Sequence, residues 1–189
     1  MKTDTLNQYG ELTGPGEVRF VRLLPGPIER VWTYLTDPEK RATWLAGGPM
    51  ELRVGGRVEL LFRHRNLSPD ETPPEKYREA HEAGMTMEGR ITAIEPPRLL
   101  SYTWEGEGPG DESEVRFELT PKGEQVQLLL THRKLRRPQG VANVGGGWHL
   151  HLAFLAARLE GTTPPAFWAR FAELEPEYRQ RVEAQLAAK

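Results

Sequence analysis

The chain has 189 residues, 38% of them hydrophobic and 28% charged, a length for one domain with enough apolar material for a packed core. It contains no cysteine, which excludes disulfide scaffolds, thiolate metal sites, iron–sulfur clusters and cysteine nucleophiles. Its 25 basic and 27 acidic residues leave a net charge of -2, too weak a field to hold a polyanion, so no nucleic-acid partner is expected.

Residues 1–16 are polar, carry scattered glycines and keep no period, which predicts a flexible N-terminal arm before a domain starting at Glu17. No stretch has the apolar run of a signal peptide or the length of a membrane span, so a cytoplasmic chain is expected. Over residues 17–24, Val18, Phe20 and Arg22 alternate with Arg19, Val21 and Leu23, the period of a strand. Pro25 and Pro27 stop it, and Ile28, Val31, Trp32 and Leu35 then recur at helical spacing. A second short helix follows, capped by Asp37, started by Pro38 and anchored by Trp44 and Leu45.

Gly47-Gly48 and Gly55-Gly56 bracket the run MELRV and precede RVELLFRH, which predicts a hairpin whose second strand carries Val58, Leu60, Phe62 and His64 on one face. Residues 65–84 are rich in proline and charge and are expected to form a mobile excursion beside the domain's interior. Strand patterns resume in MTMEGRITAI, RLLSYTWE, SEVRFELT and QVQLLLTHRKL, separated by Pro96-Pro97, the glycine-rich EGEGPGD and the turn Pro121-Lys122-Gly123. Seven strand candidates in succession imply an antiparallel meander.

A long helix is expected over residues 144–160, closed by Gly161, with Trp148, Leu152, Leu155 and Leu159 as the stripe that lies on the sheet. Leu150, Phe154 and Ala157 make a second apolar face, which the tail should cover in the same chain or in a twofold-related one. In that tail Phe167, Phe171, Leu174, Tyr178 and Val182 repeat at helical spacing, with Pro176 expected to divide or kink the segment.

Several runs look familiar in this order: Gly26-Pro27-Ile28-Glu29-Arg30-Val31-Trp32, Phe62-Arg63-His64-Arg65-Asn66-Leu67-Ser68, Ile94-Glu95-Pro96-Pro97-Arg98-Leu99-Leu100 leading to Thr103-Trp104, Leu130-Thr131-His132, and Gly147-Trp148-His149-Leu150-His151-Leu152. Over residues 17–162 the chain resembles the SRPBCC superfamily with its START-like or helix-grip fold, and within it the family named after the activator of the heat-shock protein 90 ATPase. The resemblance implies an α+β fold: a curved antiparallel sheet of about six or seven strands wrapped around a long C-terminal helix, two short helices after the first strand, and a cavity between sheet and helix. Residues 163–189 are then a C-terminal helical extension.

Three histidines share parity with core residues: His64 with Phe62, His132 with Leu130, and His151 at 60° around the helix from Trp148. If they converge they make a polar end to an apolar cavity, suited to a ligand carboxylate or hydroxyl. A buried histidine is more often a hydrogen-bonded core residue, and both readings stand at this point. Trp104 from the sheet and Trp148 from the facing helix are the best placed aromatic residues to contact a ligand body. Glu59, Glu88, Glu114 and Glu118 have the parity of the solvent face, and no nucleophile elbow or phosphate-binding loop is present, so no catalytic residue, cofactor or metal is assigned. Gly145-Gly146-Gly147 is expected to bring the start of the long helix close to the sheet. The expected function is binding of a small hydrophobic or amphipathic molecule by His64, Trp104, His132, Trp148 and His151. A cavity enzyme of cyclase or hydrolase type with His132 or His151 as base, and a chaperone-linked protein-interaction module, are the alternatives.

Overall fold

A computed structural model describes residues 8–106 and 110–188. Seven antiparallel strands form one curved sheet in the order β1-β2-β7-β6-β5-β4-β3. They are β1 (Glu11–Gly14), β2 (Glu17–Pro25), β3 (Arg57–Phe62), β4 (Met85–Glu95), β5 (Leu99–Trp104), β6 (Ser113–Lys122) and β7 (Gln125–Arg133). The helices are α1 (Ile28–Thr36), α2 (Pro38–Ala42), α3 (His64–Leu67), α4 (Arg78–Ala83), α5 (Pro138–Glu160) and α6 (Phe167–Ala187). This is the helix-grip architecture, with the sheet closed around α5.

The period-two pattern decides which face of each strand is buried. On β7, Val126, Leu128, Leu130 and His132 all point into the core, and in register across from His132 lie Val18 of β2 and Val115 of β6. Arg22 keeps the buried parity of Val18 and Phe20 and is 1% exposed; its guanidinium donates to the carbonyls of Val21 and Gln8 at 2.8 and 2.7 Å. Asp37 caps α2 by accepting from the Lys40 amide at 2.9 Å, with Pro38 in the first turn. Arg41, also 1% exposed, donates to the carbonyls of Thr36 and Ala46 at 3.2 and 3.0 Å and pins the loop that leads from α2 to the sheet.

Three expectations change. MELRV is not a strand: only isolated bridges join Gly47 to Leu61 and Met50 to Val58, and Leu52 and Val54 are exposed. The seventh strand comes instead from the expected arm, where β1 pairs with β2 and Gly10 donates to the Tyr178 hydroxyl at 2.8 Å; residues 1–7 of that arm lie outside the described residues. Residues 65–84 are an excursion between β3 and β4, as expected, and fold into most of α3, a single 3-10 turn at Glu75–Tyr77, and α4. α5 begins six residues before the expected start, so its glycines are internal, and Gly145 and Gly146 adjoin α6 rather than the sheet: a Cβ on Gly145 would stand 2.6 Å from Tyr178 Cδ1, and one on Gly146 3.3 Å from Phe171 Cε2.

α6 is one helix containing Pro176, and it covers the second face of α5 within the same chain. Leu150 and Phe154 are fully buried there, so of the two expected covers, the tail of the same chain or of a twofold-related one, it is the same chain that supplies it. Among the described residues no helix is long and apolar enough to cross a membrane.

Candidate functional site

A cavity of about 260 Å³ lies between the sheet, α5 and α6. The sheet contributes Phe62 from the end of β3, Met85 and Met87 from β4, and Trp104 from the end of β5. From α5 come Val144, Gly147, Trp148 and His151, spaced so that they share one helical stripe. His64 and Ala80 close a third side, and Phe167, Trp168 and Phe171 of α6 close the fourth. A wider, more polar chamber of about 570 Å³ shares Met85, Met87, Trp104, Asn143 and Val144 with it and extends past Glu105, Asp111 and Arg136.

The aromatic walls are mutually supporting. Trp104 and Trp148 approach with ring centroids 5.2 Å apart, and Phe62 meets Trp104 edge to face at 5.9 Å. On the α6 side Trp168 stacks on Tyr77 at 4.8 Å and lies 4.7 Å from the His64 ring. The region before β4 therefore sits beside the cavity as expected, but docked on α6. Its dock is polar as well as aromatic: Trp168 Nε1 donates to His81 Nδ1 at 2.9 Å, and Glu175 accepts from Lys76 Nζ at 2.9 Å and from the Tyr77 hydroxyl. His81, Trp168 and Glu175 carry no motif in the sequence. Their only signal is an aromatic–histidine pair separated by 87 residues.

Four of the five expected site residues, His64, Trp104, Trp148 and His151, line this cavity. His132 does not open onto it. Both of its ring nitrogens are spoken for: Trp148 Nε1 donates to Nδ1 at 2.9 Å, so Nε2 carries the proton and donates to Ser113 Oγ at 2.7 Å. His132 thus holds the Trp148 indole in place from behind, and the expected convergence of three histidines becomes a pair, His64 and His151, with ring centroids 5.9 Å apart.

All three imidazoles are held neutral. Burial pushes His132 down to about 3. Burial, with smaller contributions from His151 and His81, pushes His64 down to about 3. His151 is pushed down to about 4 by burial, partly opposed by its bond to the Trp44 carbonyl. No carboxylate lines the 260 Å³ cavity among the described residues, so a histidine base there has no acid partner and no orienting carboxylate.

The arrangement agrees with the likeness to known proteins. The family described as activator of Hsp90 ATPase homolog 1-like protein matches residues 25–160. The chain belongs to this family. It is placed with it in the SRPBCC superfamily. A Bordetella parapertussis protein solved by NMR is 43% identical, with 96% of this chain and 94% of that one aligned at a TM-score of 0.80. CalU16 from Micromonospora echinospora is 25% identical over 88% of each chain, with a TM-score of 0.66. A conserved Enterococcus faecalis protein of unknown function, 18% identical over 96% of this chain and 93% of that one at a TM-score of 0.65, shares the fold. No curated protein matches the chain.

Proposed function

We propose that this member of the family is a binding protein for a small hydrophobic or amphipathic molecule, held in the 260 Å³ cavity with Trp104 and Trp148 against its apolar body. The observation that carries the reading is the composition of the walls: apolar and aromatic side chains from sheet, α5 and α6 surround a space whose polar lining is two neutral histidines and Asn143, with no charged side chain. Catalysis is less well supported, because neither histidine has a carboxylate beside it in the cavity. A chaperone-linked role rests on the family's name alone, whereas the cavity favours a small molecule.

Gly147 supplies the test. It lines the cavity, and a Cβ built on it meets nothing within 4 Å, so a larger side chain there projects into empty space. In an NMR titration with naphthalene, the indole N–H signals of Trp148 and Trp168 and the Gly147 amide should shift together and saturate. Gly147→Leu should abolish the response while leaving the fold intact. Shifts scattered over the surface, or unchanged binding to Gly147→Leu, would refute the proposal.

A further inference from the structure

We infer that the cavity selects molecules bearing a neutral hydrogen-bond donor, a hydroxyl on a flat apolar body, and that His151 Nε2 is the atom that reads it. This rests on the proposed role of the cavity as a ligand site and narrows the ligand's chemistry.

The tautomer of His151 follows from its partner. Nδ1 lies 2.8 Å from the Trp44 carbonyl oxygen, which can only accept, so Nδ1 carries the proton. A neutral imidazole has one proton, which leaves Nε2 with a bare lone pair. Because the Nδ1 edge is tied to the loop at Trp44, the Nε2 edge is what His151 offers to the cavity it lines. The ring is 6% exposed, boxed in by Phe62, Phe167 and Trp148, and none of these reaches Nε2 with a donor.

The indole donors on either side are already committed, Trp148 to His132 and Trp168 to His81. His64 adds to the deficit: its ring is 8% exposed, and Nδ1 is buried with no hydrogen-bond partner. Thus His151 Nε2 offers the cavity a lone pair with no hydrogen-bond partner in the protein, and His64 Nδ1 beside it is a second, buried nitrogen without one, which costs stability. A carboxylate fits poorly, because its lone pairs would meet the lone pair of Nε2 with no cation among the residues that line the cavity. An ether fits by shape but brings no proton. A phenol-like hydroxyl satisfies Nε2 while its ring packs against Trp104 and Trp148.

The experiment compares four probes built on one ring system on the full chain: 1-naphthol, naphthalene, 1-methoxynaphthalene and 1-naphthoate, with Kd read from the Trp148 and Trp168 indole signals. 1-Naphthol should bind about tenfold more tightly than naphthalene and the methyl ether, the ratio for one hydrogen bond of ordinary worth, and 1-naphthoate should bind most weakly. His151→Phe should bind naphthalene and 1-naphthol equally. Independently of any variant, the nitrogen spectrum of His151 in the native protein should show Nδ1 protonated and Nε2 bare, with only Nε2 shifting when 1-naphthol is added. Equal affinities for 1-naphthol and naphthalene, tightest binding of 1-naphthoate, or a protonated Nε2 would overturn the inference while leaving an apolar ligand site standing. Failure of all four to bind would overturn the site itself and this inference with it.

Discussion

Gly145 and Gly147 stand two residues apart on α5 and face opposite circumstances. At Gly145 a Cβ meets the ring of Tyr178, whose hydroxyl is fixed by the Gly10 amide and by His149 Nδ1, so the ring has nowhere to retreat. At Gly147 a Cβ meets nothing. An alanine gains about 1 kcal/mol over glycine inside a helix, and overpacking a fixed ring costs about 1–3 kcal/mol. Gly147→Ala should therefore raise the unfolding free energy by about 1 kcal/mol, and Gly145→Ala should lower it. Urea unfolding of the two variants checks both, and the same sign for both would show that the α5–α6 contact is not as close as described. This difference is not legible in the sequence, where the three glycines form one undifferentiated run. Only the position of Tyr178, 33 residues away in the chain, distinguishes them. Likewise His132 and His151 have equally good core parity, and nothing local says that one will be consumed by Ser113 and Trp148 while the other keeps a free nitrogen.

At the scale of elements, α4 depends on α6. It is six residues long, too short to hold itself, and His81 reaches Trp168 across the chain. Trp168→Phe keeps the ring that stacks on Tyr77 but removes the indole donor, leaving His81 Nδ1 bare at a cost of about 1–2 kcal/mol. Amide exchange over residues 78–83 should then quicken by about tenfold, while amides of β6 and β7 keep their protection. Uniform quickening everywhere would mean that α4 and the sheet open as one unit. The helices in this segment escaped the sequence reading because proline and charge dominate locally and the stabilising partner is distant. The strands were legible for the opposite reason: β2 and β7 alternate cleanly because one face of each is buried. β1 was missed because its four residues alternate between exposed and half-buried rather than between polar and core. MELRV alternates by composition but only bridges to its neighbours, so period alone overstated it.

For the whole molecule, three buried histidines make acid the vulnerable direction. An unfolded histidine titrates near 6.5, whereas His64, His132 and His151 in the folded chain are pushed down to about 3, about 3 and about 4. Above pH 6.5 both states are neutral and the stability is fully present. As pH falls from 6.5 towards 4 the unfolded chain takes up protons that the folded chain refuses, and each histidine withdraws up to about 1.4 kcal/mol per pH unit. Three together withdraw up to about 4 kcal/mol per unit, against a total stability of about 5–15 kcal/mol for an ordinary domain. The unfolding free energy should be level from pH 8 to 7 and fall steeply between pH 6 and 4.5. A level value down to pH 5 would mean that the imidazoles titrate normally and reach solvent. Overall architecture was legible: the order of strands and the Trp148 stripe imply an antiparallel sheet with a helix lying on it, and the family resemblance implies that the sheet grips that helix. The chemistry of the cavity was legible only as residue types, because protonation and pairing are set by contacts between β5, β6, β7 and α5.

α6 is translated after everything it covers. In a chain whose sheet and α5 have formed before α6 docks, Leu150 and Phe154 face water, Gly145 lacks the Tyr178 ring beside it, and the cavity is an open trough. Such a chain displays an apolar strip, and strips of this kind recruit chaperones or neighbouring chains. The cavity gains its fourth wall only when α6 docks, so the act that hides the strip is the act that closes the space.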